Sequence, residues 1–126
     1  MSLRSPLSRA KGLGSAKHGF DHWWWQRLSA IALVPLCLWF VYSLISLVGE
    51  GQAQAQAWLA QPLNATLMIS FVAAMLFHAQ TGLQVVIEDY IHSKWLNLTL
   101  LISVKFAALM LAVLAIISVL KIVLGG

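Results

Sequence analysis

The sequence predicts an all-α membrane protein built from three transmembrane helices. Hydrophobic residues make up 60% of its 126 positions and charged residues only 10%, a balance that an ordinary water-soluble domain does not carry. The apolar residues also gather into three long runs, about 28–48, 63–87 and 98–124. As a helix, each run is long enough to cross a hydrocarbon core about 30 Å thick. Outside them the longest stretch is the N-terminal segment 1–27, too short for a catalytic domain with its own core. The chain therefore divides into a segment 1–27 and a membrane domain 28–126, and large soluble machinery has to come from partner chains.

The segment 1–27 sets the orientation. It holds Arg4, Arg9, Lys11 and Lys17, with Arg27 at the helix edge, whereas the connection from Gly49 to Pro62 holds only Glu50. Lysine and arginine concentrate on the side that is not translocated. The N-terminus is expected on the cytoplasmic or matrix side of a bacterial or mitochondrial inner membrane, and Gly125-Gly126 on the opposite side. Lys121 stands against this, one residue against four. The net charge of +4 is then a topology signal, and no basic folded surface is left for nucleic acid.

The first span exceeds the 7 to 15 apolar residues typical of a cleaved signal, so it reads as a retained helix despite the small residues in the QAQAQAW that follows. Pro35 removes one backbone hydrogen bond and is expected to bend it, which membrane helices tolerate. The single Cys37 excludes an intrachain disulfide and a thiolate cage for zinc or iron–sulfur. His22-Trp23-Trp24-Trp25 and Lys94-Trp95 suit a headgroup belt at one interface, with Trp58 at the other. In the third span Lys105 is deep for a cation; snorkelling towards the inner face is its simplest role.

The second span carries the chemistry. FHAQTGLQVVIEDYIH, from Phe77 to His92, puts His78 just past the helix centre and Asp89 and Tyr90 at its end. Eleven residues separate His78 from Asp89, about 16 Å of rise and close to three turns, so both project from nearly one face, with Thr81, Gly82 and Val85 between them. Gly82 leaves room for something bulky or for close helix contact. His78 is either a polar residue bonded to a neighbouring helix or a working group. In lipid the second reading gains weight, because an ionisable side chain there is costly. Neutral imidazole is a good axial ligand for haem iron. One histidine gives one ligand, and His18, His22 and His92 lie too near the inner interface, so a second axial ligand has to come from another chain. Asp89 and Tyr90 suit either a wet interfacial belt or the reduction of a quinone, where a phenol bonds a carbonyl oxygen and a carboxylate passes protons.

These residues carry a resemblance. His78-Ala-Gln-Thr-Gly82-Leu-Gln-Val-Val-Ile-Glu-Asp89-Tyr90, preceded by a helix opening Arg27-Leu-Ser-Ala-Ile-Ala-Leu, resembles the small hydrophobic anchor subunit of succinate dehydrogenase, respiratory complex II, over the full chain. The resemblance implies that His78 ligates a haem b shared with a second, cytochrome b type anchor subunit, in one joint helical bundle. It implies that Tyr90 bonds ubiquinone with Asp89 in the surrounding polar network, and that an iron–sulfur subunit and a flavoprotein subunit dock on the inner face. Arg27 is either a snorkelling anchor or a partner of a haem propionate, with His22 and Ser29 in the same polar cluster. On this reading the chain is not catalytic alone. A quinol:fumarate reductase anchor, a cofactor-free assembly protein and, last, a proton relay through His78, Asp89 and Lys105 are the alternatives.

Overall fold

A computed structural model describes residues 5–10 and 17–125. Arg4, Lys11 and Gly126, together with the side chains of Arg9, Lys17 and His18, lie outside the described residues. The described chain is helical throughout: α1 (Pro6–Ala10), α2 (Lys17–Ser46), α3 (Gln52–Ala60), α4 (Pro62–Tyr90) and α5 (Lys94–Val123). Three of these are long and apolar enough to cross a membrane, over Phe20–Ser46, Pro62–Tyr90 and Lys94–Val123.

The helices outrun the hydrophobic segments that announced them. The first begins at Lys17 rather than near Leu28, the third at Lys94 rather than near Leu98. Hydropathy marks where lipid ends, whereas the backbone stays helical into the interface as long as nothing breaks it. At 30 residues α2 is about 45 Å long, roughly 15 Å more than the hydrocarbon core needs. Its surplus carries Phe20 and Trp23, whose rings stack at 6.1 Å. The helix continues through the exposed Pro35.

Gly49, at φ +87°, ends the run of α2 with a left-handed residue that a side chain would resist. The connection expected after it is a helix. Gln52–Ala60 alternates alanine and glutamine, both good helix formers, and α3 packs against α4 and α5. Trp58 is more than a belt residue, since its ring stacks on Trp39 of α2 at 5.7 Å. Gln61 alone separates α3 from α4, with an extended backbone. Pro62 follows it, and proline both disfavours helix in the residue before it and suits the first helical position.

The turn between α4 and α5 spans only 91–93. Glu88, Asp89 and Tyr90, past the apolar run that ends near 87, form the last turn of α4. Asn97 of α5 reaches back and donates to the carbonyls of Ile87 at 3.2 Å and Ile91 at 3.0 Å. It satisfies the Ile91 carbonyl, which lies past the helix end, and adds a second donor to the Ile87 carbonyl, which already accepts the Ile91 N–H at 2.9 Å.

The row of helices is open. α4 packs against α2 on one side and α5 on the other, and among the described residues α2 and α5 make no close backbone approach. Phe40 stacks on Phe71 at 4.6 Å and Trp25 meets Phe77 edge-on at 6.3 Å across α2 and α4. Few residues are buried: Ala65, Phe71, Ile87 and Val119, and the polar Ser29, Ser43 and Thr81. Small and hydroxyl side chains at helix contacts are what lipid selects, because lipid tails offer apolar groups as good a home as a neighbouring helix does. Asn97→Ala should leave the Ile91 carbonyl without its donor, remove the second donor of the Ile87 carbonyl and cost about 1 kcal/mol. The expected readout is faster amide exchange at 91–97, with exchange in mid-α4 unchanged.

Candidate functional site

α2 and α4 run antiparallel in a register set by polar groups. The Gln26 side-chain amide meets the Thr81 hydroxyl. Three residues further along α2 and three back along α4, the Ser29 hydroxyl lies 3.0 Å from His78 Nδ1. Ser29 Oγ also donates to the Gln26 carbonyl at 3.0 Å, and Thr81 Oγ1 lies 2.9 Å from the Phe77 carbonyl and 3.0 Å from that of His78. Ser29 and Thr81 are buried, as hydroxyls can be when their bonding is complete. At Gly82 an added Cβ would stand 3.4 Å from Gln26 Nε2, the near limit of ordinary contact, so only a side chain larger than a methyl would oppose the approach.

His78 is half-buried, and its Nε2 has no hydrogen-bond partner among the described residues. Two grooves meet at its ring. One, about 400 Å³, is lined by His22, Trp23, Gln26, Arg27 and Val85. The other, about 420 Å³, continues along α2 past Leu33, Val34, Cys37 and Leu38. The wall is therefore apolar on one side of the imidazole and basic on the other. His22 Nε2 is buried without a hydrogen-bond partner among the described residues. Arg27 is exposed, its guanidinium carbon 5.6 Å from the Trp23 ring centroid, a cation–π arrangement.

The structure thus brings His78, His22 and Arg27 to one groove system, with Ser29 buried beside it and bonded to the imidazole. Asp89 and Tyr90 stand apart from it, both exposed at the end of α4, Tyr90 at 76%. Among the described residues no three His, Cys, Asp or Glu side chains cluster around a metal position. Two glutamines of α4 lie away from this groove system. Gln84 bonds within its own helix, to Glu88 at 2.9 Å, while Gln80 faces α5 in a groove of about 250 Å³ that also holds Lys105. The sequence alone assigned Gln26 no role at the site. Its signal was available as a spacing, since Gln26 precedes Ser29 by the same three residues that separate His78 from Thr81.

Fold and site together define a small multi-pass membrane protein of three spans, with one intramembrane histidine beside an open groove. Comparison with known proteins makes the class particular. Residues 1–122 match the family model described as succinate dehydrogenase/fumarate reductase transmembrane subunit, and the chain belongs to that family. It is 38% identical to the succinate dehydrogenase hydrophobic membrane anchor subunit of Rickettsia bellii, over 93% of this chain and 94% of the relative. The correspondingly named proteins of Rickettsia conorii, 35% identical over 82% of both chains, and Paracoccus denitrificans, 31% identical over 84% of this chain and 82% of the relative, are similar along most of their length. No solved structure matches the chain at the same level of significance.

Gly82→Ala should be tolerated, because its methyl reaches only ordinary contact with Gln26. Gly82→Leu should displace Gln26 and destabilise the α2–α4 pair by about 1–3 kcal/mol, read as a lower unfolding temperature of the purified complex.

Proposed function

We propose that this chain anchors a succinate dehydrogenase in the membrane, holds one face of a haem b through His78 and borders the site where ubiquinone is reduced. The observation that carries the reading is the His78 ring, at the meeting of two grooves with Nδ1 engaged and Nε2 without a partner. Donor chemistry and groove polarity fit the group. A neutral imidazole nitrogen is an axial ligand for haem iron. The apolar wall past Leu33, Val34 and Leu38 suits a macrocycle, and His22 with Arg27 suits carboxylates at its edge, to which a guanidinium can donate twice. When bound, haem supplies one-electron transfer and ties this chain to a second anchor subunit of cytochrome b type, the source of the other axial ligand.

The remaining roles belong to the exposed end of α4. Tyr90 offers a phenolic proton to a quinone carbonyl oxygen, and Asp89 beside it accepts and releases protons from the wet interface. Their exposure supports a site completed by other chains. An iron–sulfur subunit docked there delivers electrons, and a flavoprotein subunit beyond it oxidises succinate. The relatives named succinate dehydrogenase favour this direction over fumarate reduction. The basic residues before the first span place the N-terminus on the cytoplasmic or matrix side.

Three outcomes test the reading. His78→Ala should remove or displace the haem band of the assembled complex in the visible spectrum; an unchanged band leaves an anchor without a haem role. Tyr90→Phe should lower quinone reduction about 10-fold or more while succinate oxidation by an artificial acceptor stays normal. In a Cys37→Ser background, Glu50→Cys should react with a membrane-impermeant thiol reagent from the outer side and His92→Cys only after permeabilisation; the reverse pattern overturns the orientation.

A further inference from the structure

We propose that Ser29 is the positioning residue for His78, selecting the imidazole tautomer that leaves Nε2 as the bare nitrogen. The inference rests on the haem reading above and goes one step deeper into the same site. A neutral imidazole has one ring proton, and only the nitrogen without it can bind a metal. Which nitrogen that is follows from the partner of the other.

The Ser29 hydroxyl has one proton too. Its oxygen lies 3.0 Å from the Gln26 carbonyl, an acceptor only, and 3.0 Å from His78 Nδ1. With the proton donated to the carbonyl, the Ser29 oxygen presents lone pairs to Nδ1, which then carries the ring proton and donates it. Nε2 is left as the bare nitrogen, on the ring edge that has no protein partner. The alternative, in which Ser29 donates to Nδ1, leaves the Gln26 carbonyl without this bond and puts a proton on Nε2, where it blocks ligation.

Two further contacts hold the pair in place. Thr81, three residues after His78 on the face towards α2, engages the Gln26 side chain, so the residue whose carbonyl fixes Ser29 is itself anchored to α4. Ser29 is buried, so water does not compete for Nδ1. A donor bond from the second ring nitrogen raises the basicity of a ligating imidazole, which favours ferric over ferrous iron. Ser29 therefore tunes the haem as well as orienting its ligand.

The test uses the assembled complex, and its readouts are haem content, the low-spin paramagnetic resonance g values and the haem midpoint potential. Ser29→Ala should retain haem about 10-fold less tightly, shift the g values and raise the potential. Ser29→Thr, which keeps the hydroxyl, should restore all three. Ser29→Cys, nearly the same size with a weaker acceptor, should give an intermediate potential, and it serves if the alanine variant does not assemble. Ser43→Ala removes another buried α2 hydroxyl, one that bonds Trp39 and does not touch His78; it should leave potential and g values as they were. If His78→Ala alters the haem spectrum while Ser29→Ala and Ser29→Cys keep the wild-type potential and g values, the positioning role is overturned and the haem reading survives. If His78→Ala leaves the haem untouched, both fall.

Discussion

A polar side chain inside a hydrocarbon layer has to find its partner within the protein, and the α2–α4 contact is built on that requirement. Ser29 with His78 and Gln26 with Thr81 are matched pairs in one antiparallel register. Shifting either helix by one residue turns its side chains by about 100° and breaks both contacts together. Interhelical bonds of this kind are worth only about 0.6–2 kcal/mol each in a membrane. Their force lies in specification, because the apolar side chains around them pack about equally well in several registers.

Burial in this chain follows from the same constraint. Lipid gives leucine and isoleucine no reason to hide, so Ile31, Leu38, Phe106 and Met110 are exposed without being a liability. Most of what is buried is small, aromatic or hydroxylic, Ala65, Phe71, Ser29, Ser43 and Thr81, with Ile87 and Val119 as the two branched aliphatic exceptions. The open row of α2, α4 and α5 leaves the imidazole edge of α4 uncovered on its groove side. A groove with one protein wall suits a ligand shared with a neighbouring chain, which is the arrangement proposed for the haem. Lys105 belongs to the other side of α4, where Gln80 shares its groove, and so has no part in the imidazole site.

The legible part of the fold was the part governed by solvent. Three apolar runs predicted three spans, and all three stand. The misplaced boundaries share one cause: the N-terminal turns of α2 and the first turn of α5 are too polar or too aromatic to register as lipid-buried, yet contain nothing that stops a helix. α3 was missed for a related reason, since a short Gln/Ala segment gives no hydrophobic period, and its folding depends on α4, α5 and the Trp39–Trp58 stack. At the site, the sequence singled out His78, Ser29, His22 and Arg27; His78, His22 and Arg27 share one groove system, and Ser29 bonds the imidazole from beside it. Asp89 and Tyr90 project free of it because they occupy the last turn of α4, past the reach of α2's described side chains.

By itself the sequence determined the membrane class, the number of crossings and which ionisable groups, His78 and Lys105, lie deep in the spans, because all three follow from transfer free energies that each residue carries wherever it sits. Only the tertiary structure decided which polar groups meet. Gln26 and Ser29 are ordinary interfacial residues until the antiparallel register sets them opposite Thr81 and His78. That register depends on side chains 49 and 55 positions apart, a pairing no local pattern encodes.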